Sequence, residues 1–175
     1  MKIESPAFTL TDLRRVVGDE LAEVERRSVI TRLRNASARM LAVAPRIPDE
    51  QPTDDGEWNA KEVLAHIAVA SKGWGAIAYL VAVGRMPELV GQQVIIQRDP
   101  LGMEMVAHPV DEIAREAAHA HERTLAFLER ATLEEFYRPV QWELGTASAA
   151  DLFRLMLAAH IEQHVAQLDA ALPVA

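Results

Sequence analysis

His160 and His164 stand four residues apart. On a helix that spacing puts both imidazoles on one face, one turn apart, where they can grip a single ion. They also interrupt an apolar stripe, Phe153, Leu157, His160, His164, Leu168 and Ala171. Polar rings on such a stripe need partners, because burying them unpaired is costly. Alone, an HxxxH pair is met equally well by two core histidines hydrogen-bonded to neighbours or solvent. A third histidine turns the reading toward metal. His66 lies on the stripe Val63, His66, Ala70, Gly73 and Ile77, where Ala70 and Gly73 leave room beside the ring. Three inward imidazoles would hold one divalent ion and leave a position open, the catalytic rather than the structural pattern. Such an ion is Lewis acidic enough to bring the pKa of bound water to about 7, so a hydrolytic reaction is one expectation. The chain has no cysteine, so any metal must be held by His, Asp or Glu.

Four helices must position these rings. Apolar spacing gives the first from about Thr11 to Ala44, through Leu13, Val17, Leu21, Val24, Ser28, Leu33, Ala36 and Met40, with Gly18 a candidate break and Pro45 and Pro48 the stop. The second opens at Asn59-Ala60-Lys61-Glu62, a capping-box pattern flanked by Trp58 and Val63 as a staple, and ends at Gly84. The third runs from about Asp111 to Ala131 on a face of Ile113, Ala117, Ala120, Thr124, Phe127 and Leu128, followed by a short turn from Thr132 to Glu135. Tyr137 to Thr146 reads as irregular, and the fourth helix runs from Ser148 to about Ala171. The link from Gly84 to Val110 far exceeds the usual helix connection of roughly 2–8 residues. At about 1.5 Å per residue, His66 lies roughly 9 Å from the start of its helix, and the His160–His164 midpoint about 13 Å from the end of its own. The rings are level only if helices two and four are antiparallel. An up-down-down-up bundle makes them so, and it needs a long crossover between helices two and three. The fold expected is all-α, a single four-helix-bundle domain over residues 1–175.

Composition agrees. Half of the residues are hydrophobic and aromatics are 5%, a balance of Ala and Leu that favours packed helices. The net charge of −8 would repel phosphate backbones and anionic membranes, so neither nucleic acid nor membrane is an expected partner. The N-terminus does not look like a secretory signal, and no uninterrupted apolar run is long enough to cross a bilayer. A cytoplasmic protein acting on a small molecule is the expectation.

The stretch Glu57-Trp58-Asn59-Ala60-Lys61-Glu62-Val63-Leu64-Ala65-His66-Ile67, with Ala159-His160-Ile161-Glu162-Gln163-His164-Val165-Ala166-Gln167-Leu168 much later, resembles the DinB/YfiT-like family. That family places a Trp before a helix carrying one His, and a His-x-x-x-His near the end of the last helix. The resemblance spans about residues 9 to 172. It implies metal ligation by His66, His160 and His164, an ion such as zinc, nickel or iron, and a homodimer. Some relatives use a low-molecular-weight thiol, so thiol-dependent S-transfer stands beside hydrolysis. Ile161 after the first His of the pair departs from many members and leaves the subgroup undecided. A non-catalytic metal-binding or interaction bundle is the alternative, and a plain helical homodimer without metal is a third reading.

Other residues take humbler readings. His119 and His121 face different ways and read as solvated, and His108 reads as an exposed loop residue beside Pro109. Gln163 and Gln167 each follow a ligand His by three residues, where they could orient an imidazole or merely flank it. Glu62 is a cap, and Glu162 should point away from the rings. Trp74 and Tyr79 read as core or dimer contacts, and Met103 and Met105 as pocket or core cover.

Overall fold

A computed structural model describes residues 10–50, 58–89, 100–143 and 145–172. Glu57, the end residues beyond 172, the N-terminal segment before 10, and 90–99 of the long link lie outside them. The chain is mostly helical. Helix α1 spans Leu10–Val43 and runs unbroken through Gly18, where an added Cβ would meet nothing. It passes into a 3-10 turn, Ala44–Arg46, that contains Pro45. Helix α2 spans Ala60–Ala82, and its capping box is complete: Asn59 accepts from the Glu62 N–H while Glu62 accepts from the Asn59 N–H. It ends in a Schellman motif, with Gly84 at φ 74°, the Gly84 N–H donating to Val81 O and the Arg85 N–H to Leu80 O.

The long link contains structure of its own. Strand β1, Glu88–Leu89, and helix α3, Pro100–Val106, precede α4, Val110–Arg130. A short α5, Leu133–Phe136, is closed by a second capping box, Thr132 with Glu135. The segment read as irregular is a hairpin, β2 Pro139–Trp142 against β3 Gly145–Ser148, and β2 also pairs in parallel with β1. Trp142 stands opposite Gly145, and Gly145 at φ 122° supplies a backbone other residues resist. The last helix begins as α6, Ala149–Asp151, capped by Ser148. It continues through a π-helical stretch, Leu152–Ala159, into α7, His160–Ala171.

Leu33, Met40, Leu64, Ile67, Ile113, Leu128, Phe153, Leu157 and Ile161 are fully buried, drawn from all four long helical segments. Polar contacts tie the segments at spaced levels. Glu25, Arg32 and Arg39 of α1 pair with Arg154, Glu162 and Asp169 of the last helix. Arg26 of α1 donates to the Leu128 carbonyl and Ser37 meets His121, both on α4. Ser71 and Lys72 of α2 meet His121 and Glu116 of α4.

One expectation about the helices changes. The apolar stripe on α1 is buried only from Val29 onward; Val17, Leu21 and Val24 are 44%, 65% and 64% exposed. The 34 residues of α1 against 23 in α2 make it longer by about 16 Å at 1.5 Å per residue, so its start overhangs the core. Helix α2 is long and apolar enough to cross a bilayer by length and composition, but Lys72 interrupts it, so the reading that no uninterrupted apolar run is long enough stands. Its apolar residues Val63, Leu64, Ile67, Ala68, Ala78 and Val81 are buried in the protein's own core.

Candidate metal centre

His66 sits in the second turn of α2, one turn after the box that fixes where the helix starts. His160 and His164 occupy the first two turns of α7, directly after the π-helical stretch. The i→i+5 winding there changes the angular relation of the two rings to the residues upstream. The result is convergence. His66 Nε2 lies 3.2 Å from His160 Nε2, and His164 Nε2 lies 3.0 Å from His160 Nε2. All three candidate ligand atoms fall within 4.8 Å of one another, a group that could hold a metal ion. Nitrogens about 2.0–2.1 Å from one ion at near-tetrahedral angles would stand about 3.3 Å apart. Two of the three separations match that spacing, and the third pair lies within 4.8 Å, so the set could hold a small divalent ion once the His66 and His164 rings turn toward each other.

The surroundings favour neutral imidazoles, the form that ligates. Burial pushes the pKa of His160 down to about 4, and the neighbouring charges of His164 and His66 add to the shift. Burial also lowers His164, partly offset by its bond to Gln167. That bond runs 3.0 Å from His164 Nδ1 to Gln167 Oε1. An amide oxygen only accepts, so Nδ1 carries the proton and the Nε2 lone pair faces the other rings. Trp58 closes one side: its ring centroid is 4.7 Å from that of His66 and 6.4 Å from that of His164. Sequence spacing pointed to the three histidines, and it left Gln163 and Gln167 either as orienting groups or as a polar flank; Gln167 is the one that meets a ring. Spacing also placed Glu62 as a cap and Glu162 away from the rings, and Glu162 indeed pairs with Arg32 of α1. Gln163 is exposed, as is Gly73, so the α2 stripe leaves the interior before Ile77.

The remaining histidines do not join the cluster. His108, in the bend before α4, and His119, on α4, are exposed, each 3.2 Å from a carboxylate of α4, Glu112 and Glu122 respectively. His121 corrects the reading of a solvated residue, because it is 1% exposed. Ser71 donates to the Ile67 carbonyl at 2.6 Å, so its oxygen is left to accept from His121 Nε2–H at 2.8 Å. His121 Nδ1 then accepts from Ser37 at 2.9 Å. A neutral ring is thus fully bonded between α1, α4 and α2, and burial pushes its pKa down to about 4. The signal was present in the sequence: Ile113, Ala117, His121, Thr124 and Leu128 follow helical spacing. Lys61, 3% exposed and paired with Asp49 at 2.5 Å, is a second buried polar group that periodicity did not single out.

No functionally curated protein and no solved structure matches the chain. The DinB superfamily matches it over residues 19–168, a span that contains the capped α2, the π-helical stretch and all three converging histidines. With most of its length matched, the chain belongs to the DinB superfamily.

Proposed function

We propose that this chain is a metal-dependent enzyme, a hydrolase or a thiol-dependent S-transferase, with one divalent ion held by His66, His160 and His164. The carrying observation is the approach of three Nε2 atoms from α2 and α7 to 3.0–3.2 Å about His160. When bound, zinc, nickel or iron would supply Lewis acidity and an open coordination position for water, thiol or substrate. The chain's own residues prepare that site. Gln167 holds the His164 proton on Nδ1, burial keeps His160 neutral, and Trp58 covers the His66 and His164 rings.

The assembly proposed around this centre is an up-down-down-up bundle. Its support is the order of contacts: numbers rise together between α1 and the last helix, and between α2 and α4, and run oppositely between α1 and α4. A homodimer is proposed as well, supported by the exposed stripe Val17, Leu21 and Val24. The cytoplasm is the proposed location and a small molecule the proposed substrate.

The test is turnover by metal-stripped and metal-reconstituted protein, offered activated esters in one arm and a low-molecular-weight thiol with an electrophile in the other. Metal-dependent turnover in one arm supports the proposal and chooses the reaction. A full equivalent of metal with no turnover in either arm favours the alternative, a non-catalytic metal-binding bundle.

A further inference from the structure

A cavity of about 580 Å³ opens between α2 and α4 and reaches the buried rings of Phe127 and Phe153. Small-molecule sites span about 300–1,000 Å³. The cavity shares no lining residue with the histidine cluster: Ser71, its α2 residue nearest to His66, lies about 8 Å along the helix from it at 1.5 Å per residue. Gly75 also keeps this wall thin, since a Cβ there would stand 2.9 Å from Thr124 Oγ1.

The lining divides by chemistry. Its floor is apolar, with Phe127 and Phe153 beside Ala120, and its charged residues are Lys72, Arg123 and Arg130. No carboxylate lines it, in a chain of net charge −8. Lys72 is paired with Glu116. Arg123 and Arg130 form no ion pair among the described residues, whereas Arg32, Arg34 and Arg39 each hold a carboxylate. Arg130 instead lies over the Phe127 ring, 5.9 Å from its centroid. Arg123 acts on Glu116 and Arg130 on Glu135 only through space, so two guanidiniums without a hydrogen-bonded carboxylate flank an aromatic floor on one face of α4, and a planar carboxylate is the group such donors match best.

We propose that this cavity is a second ligand site, for a small organic acid whose carboxylate pairs with Arg123 and Arg130 while its apolar body lies against Phe127 and Phe153. Calorimetry of the protein as purified, with octanoate and with uncharged octanol as probes, tests it. Octanoate is expected to bind saturably and octanol at least tenfold more weakly. The double substitution Arg123→Gln/Arg130→Gln is expected to weaken octanoate at least tenfold. Ala76→Trp, a change at an exposed position on the rim, should block it, while His160→Ala should leave it unchanged. Undiminished octanoate binding in both the arginine and Ala76 variants would overturn the proposal. So would its loss in His160→Ala, which would put the acid at the histidine cluster. Absence of saturable binding at millimolar octanoate, or an Ala76→Trp change that alters only self-association, would overturn it equally.

Discussion

At the scale of single residues, the cluster depends on which ring nitrogen carries the proton. Gln167 accepts from His164 Nδ1 and so reserves Nε2 for ligation. Loss of such an orienting partner typically costs about 10–100-fold in metal affinity. Gln167→Leu is therefore expected to weaken zinc binding by about that factor, read by competition with a chelating dye, with Gln167→Glu retaining most of it; equal affinity in Gln167→Leu would remove the orienting role. His121 gives a pH signature. Its folded pKa of about 4 lies below its ordinary value of 6.5, so between those pH values the unfolded chain takes up a proton that the native ring refuses. Stability from this group is whole above pH 6.5 and is lost as pH falls toward 4, by up to about 3 kcal/mol. Denaturant melts of His121→Gln should show a flatter decline over that window than the unsubstituted chain, and an identical slope would contradict this assignment. The three ligand candidates were legible because polar rings on apolar stripes stand out. His121 was legible only as a place on the α4 stripe: its neighbour His119 suggested a solvated pair, and its serine partners come from helices distant in sequence.

At the scale of elements, the caps set where the chemistry can sit. The box formed by Asn59 and Glu62 fixes the start of α2, and with it the turn on which His66 emerges. Asn59→Ala is expected to cost about 1 kcal/mol of stability, measured by chemical denaturation; no change would show that packing alone defines this terminus. The helix starts and the stop at Gly84 could be read locally, because capping side chains and a left-handed glycine act within a few residues. The hairpin of β2 and β3 could not. Its strands are four residues each, too short for alternation to register, and β1 joins them from the far side of α3 and α4. The π-helical winding before His160 was also invisible, since residue types that favour it differ little from those of an α-helix. The inward face of α1 was overextended for a different reason: periodicity reports a face, and only the length of the facing helices says how much of it is covered.

At the scale of the whole molecule, one ion would join α2 to α7 across the bundle, so metal and fold stability should be linked. With free zinc at about a thousand times Kd, the native state gains roughly 4 kcal/mol, and chelation should lower Tm accordingly; an unmoved Tm would mean that the folded chain binds the ion no better than the unfolded one does. The overhanging stripe of α1 makes a second expectation. Leu21→Glu with Val24→Glu should convert a dimer to monomer in sedimentation while leaving Tm of the monomer nearly unchanged, and a parent chain that sediments as a monomer would remove the proposed homodimer. Charge and composition made the broad class readable, but the cavity between α2 and α4 was not, because Phe127, Phe153 and Arg123 meet only after three helices pack. The most direct measurement is elemental analysis of protein purified without a histidine tag, for the parent chain and for His66→Ala, His160→Ala and His164→Ala. One equivalent of divalent metal in the parent, lost from each variant while helical circular dichroism persists, is the expected result. A parent without metal, or variants that keep a full equivalent, would contradict the three-histidine centre.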